Sequence, residues 1–149
     1  MSQCRYNSSA TFVDVSAAQG AHFFGSPDDG PVVMLNLLRF RDHADYSHAP
    51  SLEPAGGTSG AHAYRLYMAA IEPLLEASGG KLIFSGVAEP FLIGPANEQW
   101  DYAMLVRQAS KASFLAFASD PAAQEAAAHR SAALADSRLL PLWPDRSPG

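Results

Sequence analysis

Apolar and polar positions fall into blocks of distinct period along the chain. Residues 31–41 read PVVMLNLLRFR, in which Asn36 is the only polar residue before two arginines close the run. Its length and its β-branched start predict a buried strand over residues 32–40. Upstream, Val15, Ala18, Ala21 or His22, and Phe23 or Phe24 recur at helical spacing, so residues 14–26 form a modest helix. The turn sequence Ser26-Pro27-Asp28-Asp29-Gly30-Pro31 stops it. The strongest helix spans residues 61–78. There Tyr64, Tyr67, Met68, Ile71, Leu74 and Leu75 share one stripe, Pro73 bends the last turn and Gly79-Gly80 supplies the left-handed stop. Residues 81–93 read as an interrupted strand, with Gly86 and Pro90 marking a bulge or bend, and residues 94–98 as a turn. Residues 100–108 alternate cleanly: Trp100, Tyr102, Met104 and Val106 oppose Asp101, Ala103, Leu105 and Arg107. Ser110 caps a short helix, KASFLAFAS, and Asp120-Pro121 starts a second that continues through AAQEAAAHRSAALA. Leu139 to Trp143 is the final strand candidate. Between the first strand and the main helix lie nineteen residues, 42–60, without periodicity; a loop that long is a functional lid or a disordered insertion.

Without its first helix the order is β-α-β-β-α-β, the ferredoxin-like split unit, an α+β fold with two helices on one face of a four-stranded antiparallel sheet. Residues 1–30 are then an arm and helix, 31–143 the ferredoxin-like domain and 144–149 a tail. Leu35, Leu37, Ala103 and Leu105 oppose Met34, Leu38, Met104 and Val106. Both parities are apolar, so the face without helices needs cover, and a second copy of the chain supplies it most simply. That is the expectation of a homodimer.

Composition sharpens this only a little. The 149 residues suit one domain, 48% hydrophobic and 17% charged, below the roughly one quarter that is usual, which also favours an oligomer. A net charge of −5 argues against a nucleic-acid partner, because phosphate binding needs concentrated Lys and Arg. No segment reaches the roughly 18 apolar residues of a membrane span, and MSQCRYNSSATF lacks the cationic start and apolar run of a secretory signal. With Cys4 alone no internal disulfide forms, and a cytoplasmic location is the expectation. Cys4 itself reads as inert, in a polar segment with no fixed base beside it.

NLLRFR, then GAHAYRLYMAAIEPLL followed by a Gly pair, then WDYAMLVRQASKASFLAFASDP and HRSAALADSRLL resemble the domain-of-unknown-function 1330 family of the dimeric α+β barrel superfamily. The resemblance spans residues 31–142 and lies in order and spacing, not in one short signature. It implies a ferredoxin-like homodimer but no activity, because that family has no general biochemical assignment. Superfamily relatives include cofactor-free monooxygenases, haem-degrading enzymes, muconolactone-isomerase-like proteins and stress-induced barrels, and a shared scaffold does not fix the chemistry. The first thirty residues and the 42–60 loop depart from the shorter members.

Several residues carry candidate chemistry, each beside a plainer role. Asn36 is either an amide satisfied by a neighbouring loop or bulge, or one that fixes a ligand's carbonyl or hydroxyl; the face it occupies decides. Arg39 is a solvated residue at the sheet edge, or a bidentate clamp for a carboxylate if the strand continues past it, with Asp101 and Arg107 available as structural partners. Tyr64 and Tyr67 are core residues or pocket walls, as is Trp100. His129, with Arg130 beside it and Glu125 one turn earlier, is the best proton-transfer candidate if Asp136 or Asp101 orients it. His22, His43, His48, His62 and His129 show no metal spacing, and no nucleotide-binding loop occurs, so no cofactor is expected. The leading functional expectation is binding of a small apolar molecule with a polar or anionic group in a cleft between sheet and helices. Turnover there would proceed without metal or nucleotide, and whether the protein is an enzyme is open. In that cleft Asn36 and Arg39 orient the ligand, Tyr64, Tyr67 and Trp100 wall it, and Asp101 and Arg130 are its further polar contacts. A non-enzymatic homodimeric module with a packed interior is the alternative, and a haem-binding or haem-handling protein the third.

Overall fold

A computed structural model describes residues 10–144. Helix α1 (Ala17–Gly25) precedes strand β1 (Val32–Phe40) and helix α2 (Gly60–Ala77). Strands β2 (Lys81–Val87) and β3 (Tyr102–Gln108) follow, then helices α3 (Lys111–Ser119) and α4 (Pro121–Ala133), and strand β4 (Leu134–Leu142). The sheet order is β2-β3-β1-β4 with every neighbouring pair antiparallel, which is the ferredoxin-like α+β arrangement.

Side chains choose the termini of these elements. Ser16, Ser59 and Ser110 each accept a backbone N–H from the first turn of the helix that follows, and Asp120 does so ahead of Pro121. Gly79, at φ 89°, ends α2 in the left-handed region while Gly80 N–H returns to Leu75 O at 2.9 Å. The bulge in β2 falls between Leu82 and Phe84, not at Gly86, and the strand stops at Val87, before Pro90. The last strand starts five residues before its expected position. Helix α4 ends at Ala133, and Leu134, fully buried, turns directly into β4. Alanine propensity extends a helix on paper; here burial of Leu134 under the sheet overrides it.

Alternation along β1 divides the sheet. Val32, Met34, Asn36 and Leu38 are buried against the helices, and Val33, Leu35 and Leu37 are half-buried on the other side. Met34, Leu38, Met104 and Val106 pack on Ala63, Tyr64 and Leu75 of α2 and on Ala132 and Ala133 of α4; alanines let α4 approach closely. Registers across the strands place Phe84, Leu105, Leu35 and Leu140 in one row on the uncovered face. Nothing among the described residues covers that row: Phe84 is 59% exposed and Leu140 53%.

The N-terminal helix packs on its own chain. The Phe23 ring meets Phe114 edge-on at 6.1 Å and stacks on Trp143 at 6.2 Å, while Lys111 Nζ donates to Ser26 O at 2.8 Å and to Ser26 Oγ at 2.6 Å. The 42–60 loop is pinned rather than free. Ala44 N–H donates to Thr58 O and Asp45 N–H to Ala132 O, both at 2.9 Å, and Tyr46 is buried in the core. It is a compact loop closed on itself, with a short 3-10 turn at Pro50–Leu52. Cys4 lies outside the described residues.

Candidate functional site

The sequence-derived site residues fall into three separate places. At the Phe40 end of β1, Arg39 faces Asp136 across the strand pair. Asp136 is buried and accepts four hydrogen bonds: from Arg39 Nη2 at 3.2 Å, Arg138 Nη1 at 2.7 Å, Phe12 N–H at 2.8 Å and Ser137 N–H at 2.8 Å. The Arg138 guanidinium lies 4.9 Å from the Phe12 ring centroid and 5.0 Å from that of Trp100, and Arg39 lies 5.8 Å from Trp100. Buried Trp100 donates through Nε1 to Glu98 at 2.9 Å. Trp100 therefore belongs to the loop before β3, with the arginines stacked on it. Arg39 has Asp136 as its partner and neither Asp101 nor Arg107. Asp101 Oδ2 instead accepts Phe40 N–H at 2.8 Å, and its own N–H donates to Leu38 O at 2.8 Å. Beside this group, on the uncovered face, lies a groove of about 330 Å³ lined by Leu35, Leu37, Glu98, Arg138, Leu139 and Leu140.

The second place lies inside, between sheet and helices. Tyr64 and Tyr67 of α2 lean together with centroids 5.3 Å apart, and Phe40 contacts Tyr64 at 5.5 Å and Tyr102 at 6.2 Å. Arg130 of α4 donates through Nη1 to Val13 O at 2.7 Å, and its charge acts on both Tyr64 and Tyr67, opposing the burial-driven rise of their phenols. Burial pushes Tyr64 far above the ordinary phenol value near 10, with neighbouring Tyr67 reinforcing the rise, and burial also raises Tyr67. The folded chain thus keeps both phenols protonated where the unfolded chain ionises them, so their contribution to stability is intact below pH 10 and declines as pH rises through that value. Urea unfolding should show stability falling above pH 10 by up to about 1.4 kcal/mol per pH unit for each phenol. Tyr64→Phe should flatten that slope. Asn36 also faces the helices, and its Nδ2 donates to Met34 O at 3.2 Å, a bond within its own strand. It stands on the opposite face of β1 from Arg39, so these two cannot orient one ligand together.

The third place holds His129. Its Nδ1 shares a 2.6 Å hydrogen bond with the hydroxyl of Tyr46, and the two rings meet edge-on at 5.5 Å. The residue that orients His129 is therefore Tyr46, not Asp136 or Asp101, because this face of α4 meets the 42–60 loop and not the sheet. Burial holds His129 below its ordinary value of 6.5, with Glu125 opposing, so the ring is neutral at pH 7. Tyr46 is itself raised, chiefly by burial. Among the described residues no group of three or more His, Cys, Asp or Glu is placed to hold a metal ion, and no helix is long and apolar enough to cross a membrane.

The structure brings Tyr64, Tyr67 and Arg130 together and separates them from the Arg39, Trp100 and Asp101 end. Sequence reasoning missed Arg138 and Tyr46. The alternation Asp136-Ser137-Arg138 was the signal for the first, hidden by reading the helix through residue 135. A single aromatic in an otherwise polar loop was the signal for the second.

Strand order and helix placement make this a ferredoxin-like α+β protein. The RPA0582 protein of Rhodopseudomonas palustris, itself of unknown function, shares 36% identity and a TM-score of 0.82, covering 93% of this chain and 100% of that one. Its methylated form gives 37%, 0.80, 91% and 96%. The chain belongs to the same family as RPA0582. Two dimeric ferredoxin-like proteins of unknown function, from Thermobifida fusca YX and Bacteroides fragilis NCTC 9343, are each 16% identical with TM-scores of 0.44 and 0.41. They cover 76% and 75% of this chain, which spans 90% and 94% of theirs. Neither a family model nor a curated protein matches the chain, so the finer resemblance to the domain-of-unknown-function 1330 family rests on the residues quoted for it.

Proposed function

We propose that the protein works as a homodimeric module in which the uncovered sheet faces of two copies pack together. The observation that carries this reading is the row Phe84, Leu105, Leu35 and Leu140. Those four side chains cross all four strands and no described residue covers them, and an apolar patch of that extent on a small protein marks an interface. An isologous pair covers both copies at once and closes the assembly. Sedimentation equilibrium should find a dimer at micromolar concentration. Leu105→Asp, at the centre of the row, should raise the dimer dissociation constant at least 100-fold while leaving the circular dichroism spectrum unchanged, because it places an unpaired charge in the middle of the contact. A folded wild-type monomer at that concentration ends the reading.

A second reading assigns small-anion binding to Arg130 with Tyr64 and Tyr67. In its favour is a guanidinium bonded to the neutral Val13 carbonyl and acting on two protonated phenols, an arrangement that offers donors to a carboxylate. A thermal-shift screen of small carboxylates and phenolics should return a stabilising compound whose effect disappears in Arg130→Met. Equal stabilisation of wild type and variant places the ligand elsewhere.

A further inference from the structure

Among the described residues, the most exposed large apolar side chains are not on the sheet. Leu92 is 99% exposed and Ile93 93%, at the tip of the loop that joins β2 to β3. The tip is stiff. Pro90 and Pro95 bracket it, and Gly94, at φ 156°, folds back over the Phe91 ring, whose nearest atom stands 2.7 Å from where a Cβ would project. A pre-shaped apolar knob loses little entropy on docking. The chain also carries a matching concavity, the groove beside Arg138 walled by Leu35, Leu37 and Leu140.

We propose that this loop is a docking arm, and that Phe91, Leu92 and Ile93 of one copy seat in the groove of a second copy. The inference rests on the face-to-face pairing proposed above and names the contact that fixes it. The strand order selects the geometry. A two-fold axis running parallel to the strands, between the facing sheets, lays β2 of one copy over β4 of the other and keeps the strand ends level. The arm leaves β2 at Val87 and rejoins the sheet at Tyr102, opposite Leu38. The groove begins one residue further along, at Leu37 and Arg138. Under that axis the arm of each copy arrives over the groove of the other, twice, and the contact closes instead of propagating. An axis perpendicular to the strands sends the arm to the wrong end. Phe84, Leu140 and Leu142 on the sheet and Phe91, Leu92 and Ile93 on the arm are all exposed in the single chain and so available to such a pairing. Glu89 and Glu98 flank the tip and the chain carries −5, which opposes docking on an anionic lipid surface.

The test is a mutant cycle on the dimer dissociation constant of the full chain, measured by sedimentation equilibrium. Leu92→Ala with Ile93→Ala should weaken the dimer about 30-fold and Leu140→Ala about 10-fold. If the two surfaces touch, all three substitutions together should fall well short of the roughly 300-fold product. All three side chains are exposed in the single chain, so the fold is unaffected and circular dichroism serves as the control. A dimer indifferent to the arm substitutions overturns the arm while leaving sheet pairing standing. So does a triple variant that reaches the full product. A wild-type monomer overturns the sheet pairing and the arm with it.

Discussion

Gly60→Ala should destabilise the protein by about 3 kcal/mol or more, although by helix propensity the same change would gain up to about 1 kcal/mol. The reversal comes from three backbone segments meeting at one point. Gly60 N–H donates to Arg41 O at 3.0 Å, and Arg41 N–H donates to Ala133 O at 2.8 Å. A Cβ on residue 60 would collide with the Arg41 carbonyl and stand 2.7 Å from both Arg41 N and Ala133 O. All of these are main-chain atoms, so no rotamer change relieves the contact. The exit of β1, the start of α2 and the end of α4 must then separate, and overpacking of that kind costs from about 1 to 3 kcal/mol or beyond. Gly25→Ala is the control. It also lies in a helix, but an added Cβ there meets nothing within 4 Å, so it should be neutral or slightly stabilising. The urea midpoint should fall in Gly60→Ala and hold level or rise in Gly25→Ala. A Gly60→Ala protein as stable as wild type would show that the junction is loose.

The second large effect is at Asp136. Asp136→Ala removes the one acceptor shared by Arg39, Arg138 and the backbone N–H groups of Phe12 and Ser137. The Asp136 side chain is 4% exposed, whereas those of Arg39 and Arg138 are 36% and 35% exposed, so the two guanidiniums lose their counter-charge while water still reaches them. Discounted for the exposure of the arginines, breaking such a group from one side costs about 2–3 kcal/mol, which for a chain of this size lowers the melting temperature by roughly 5–10 °C. Asp136→Asn keeps the shape and one good acceptor but not the charge, and should lie between wild type and Ala. Calorimetric melting of the three proteins gives the order. A loss below about 1 kcal/mol for the alanine variant would reduce the cluster to an ordinary surface ion pair.

The parts of this fold legible in the sequence are those whose causes lie within a few residues. Strand β1 follows from its own apolar run, the starts of α3 and α4 from Ser110 and Asp120, and the stop of α2 from Gly79. Where the cause lies far along the chain, the reading slipped. Residues 134–138 continue an alanine-rich helical pattern, yet pairing with residues 37–40 of β1 makes them strand, and with that strand went Arg138 and the true partner of Arg39. Asn36 was correctly grouped with Met34 and Leu38, but which parity meets the helices is decided by the crossover and not by the strand. The 42–60 loop has no periodicity to announce its order, which comes from its own Ala44–Thr58 closure and from Ala132 and His129, more than seventy residues from the residues they hold.

The missing linker between α4 and β4 has a consequence for how the gene can change. With no slack at Ala133–Leu134, and with Ala132 O and Ala133 O already committed to Asp45 and Arg41, gain or loss of one alanine within this repetitive run would slide the strand by one position. Every side chain from Leu134 to Leu142 would then turn over, carrying Asp136 and Arg138 away from Arg39 and Trp100. A tract whose composition looks tolerant is therefore intolerant of any change in length.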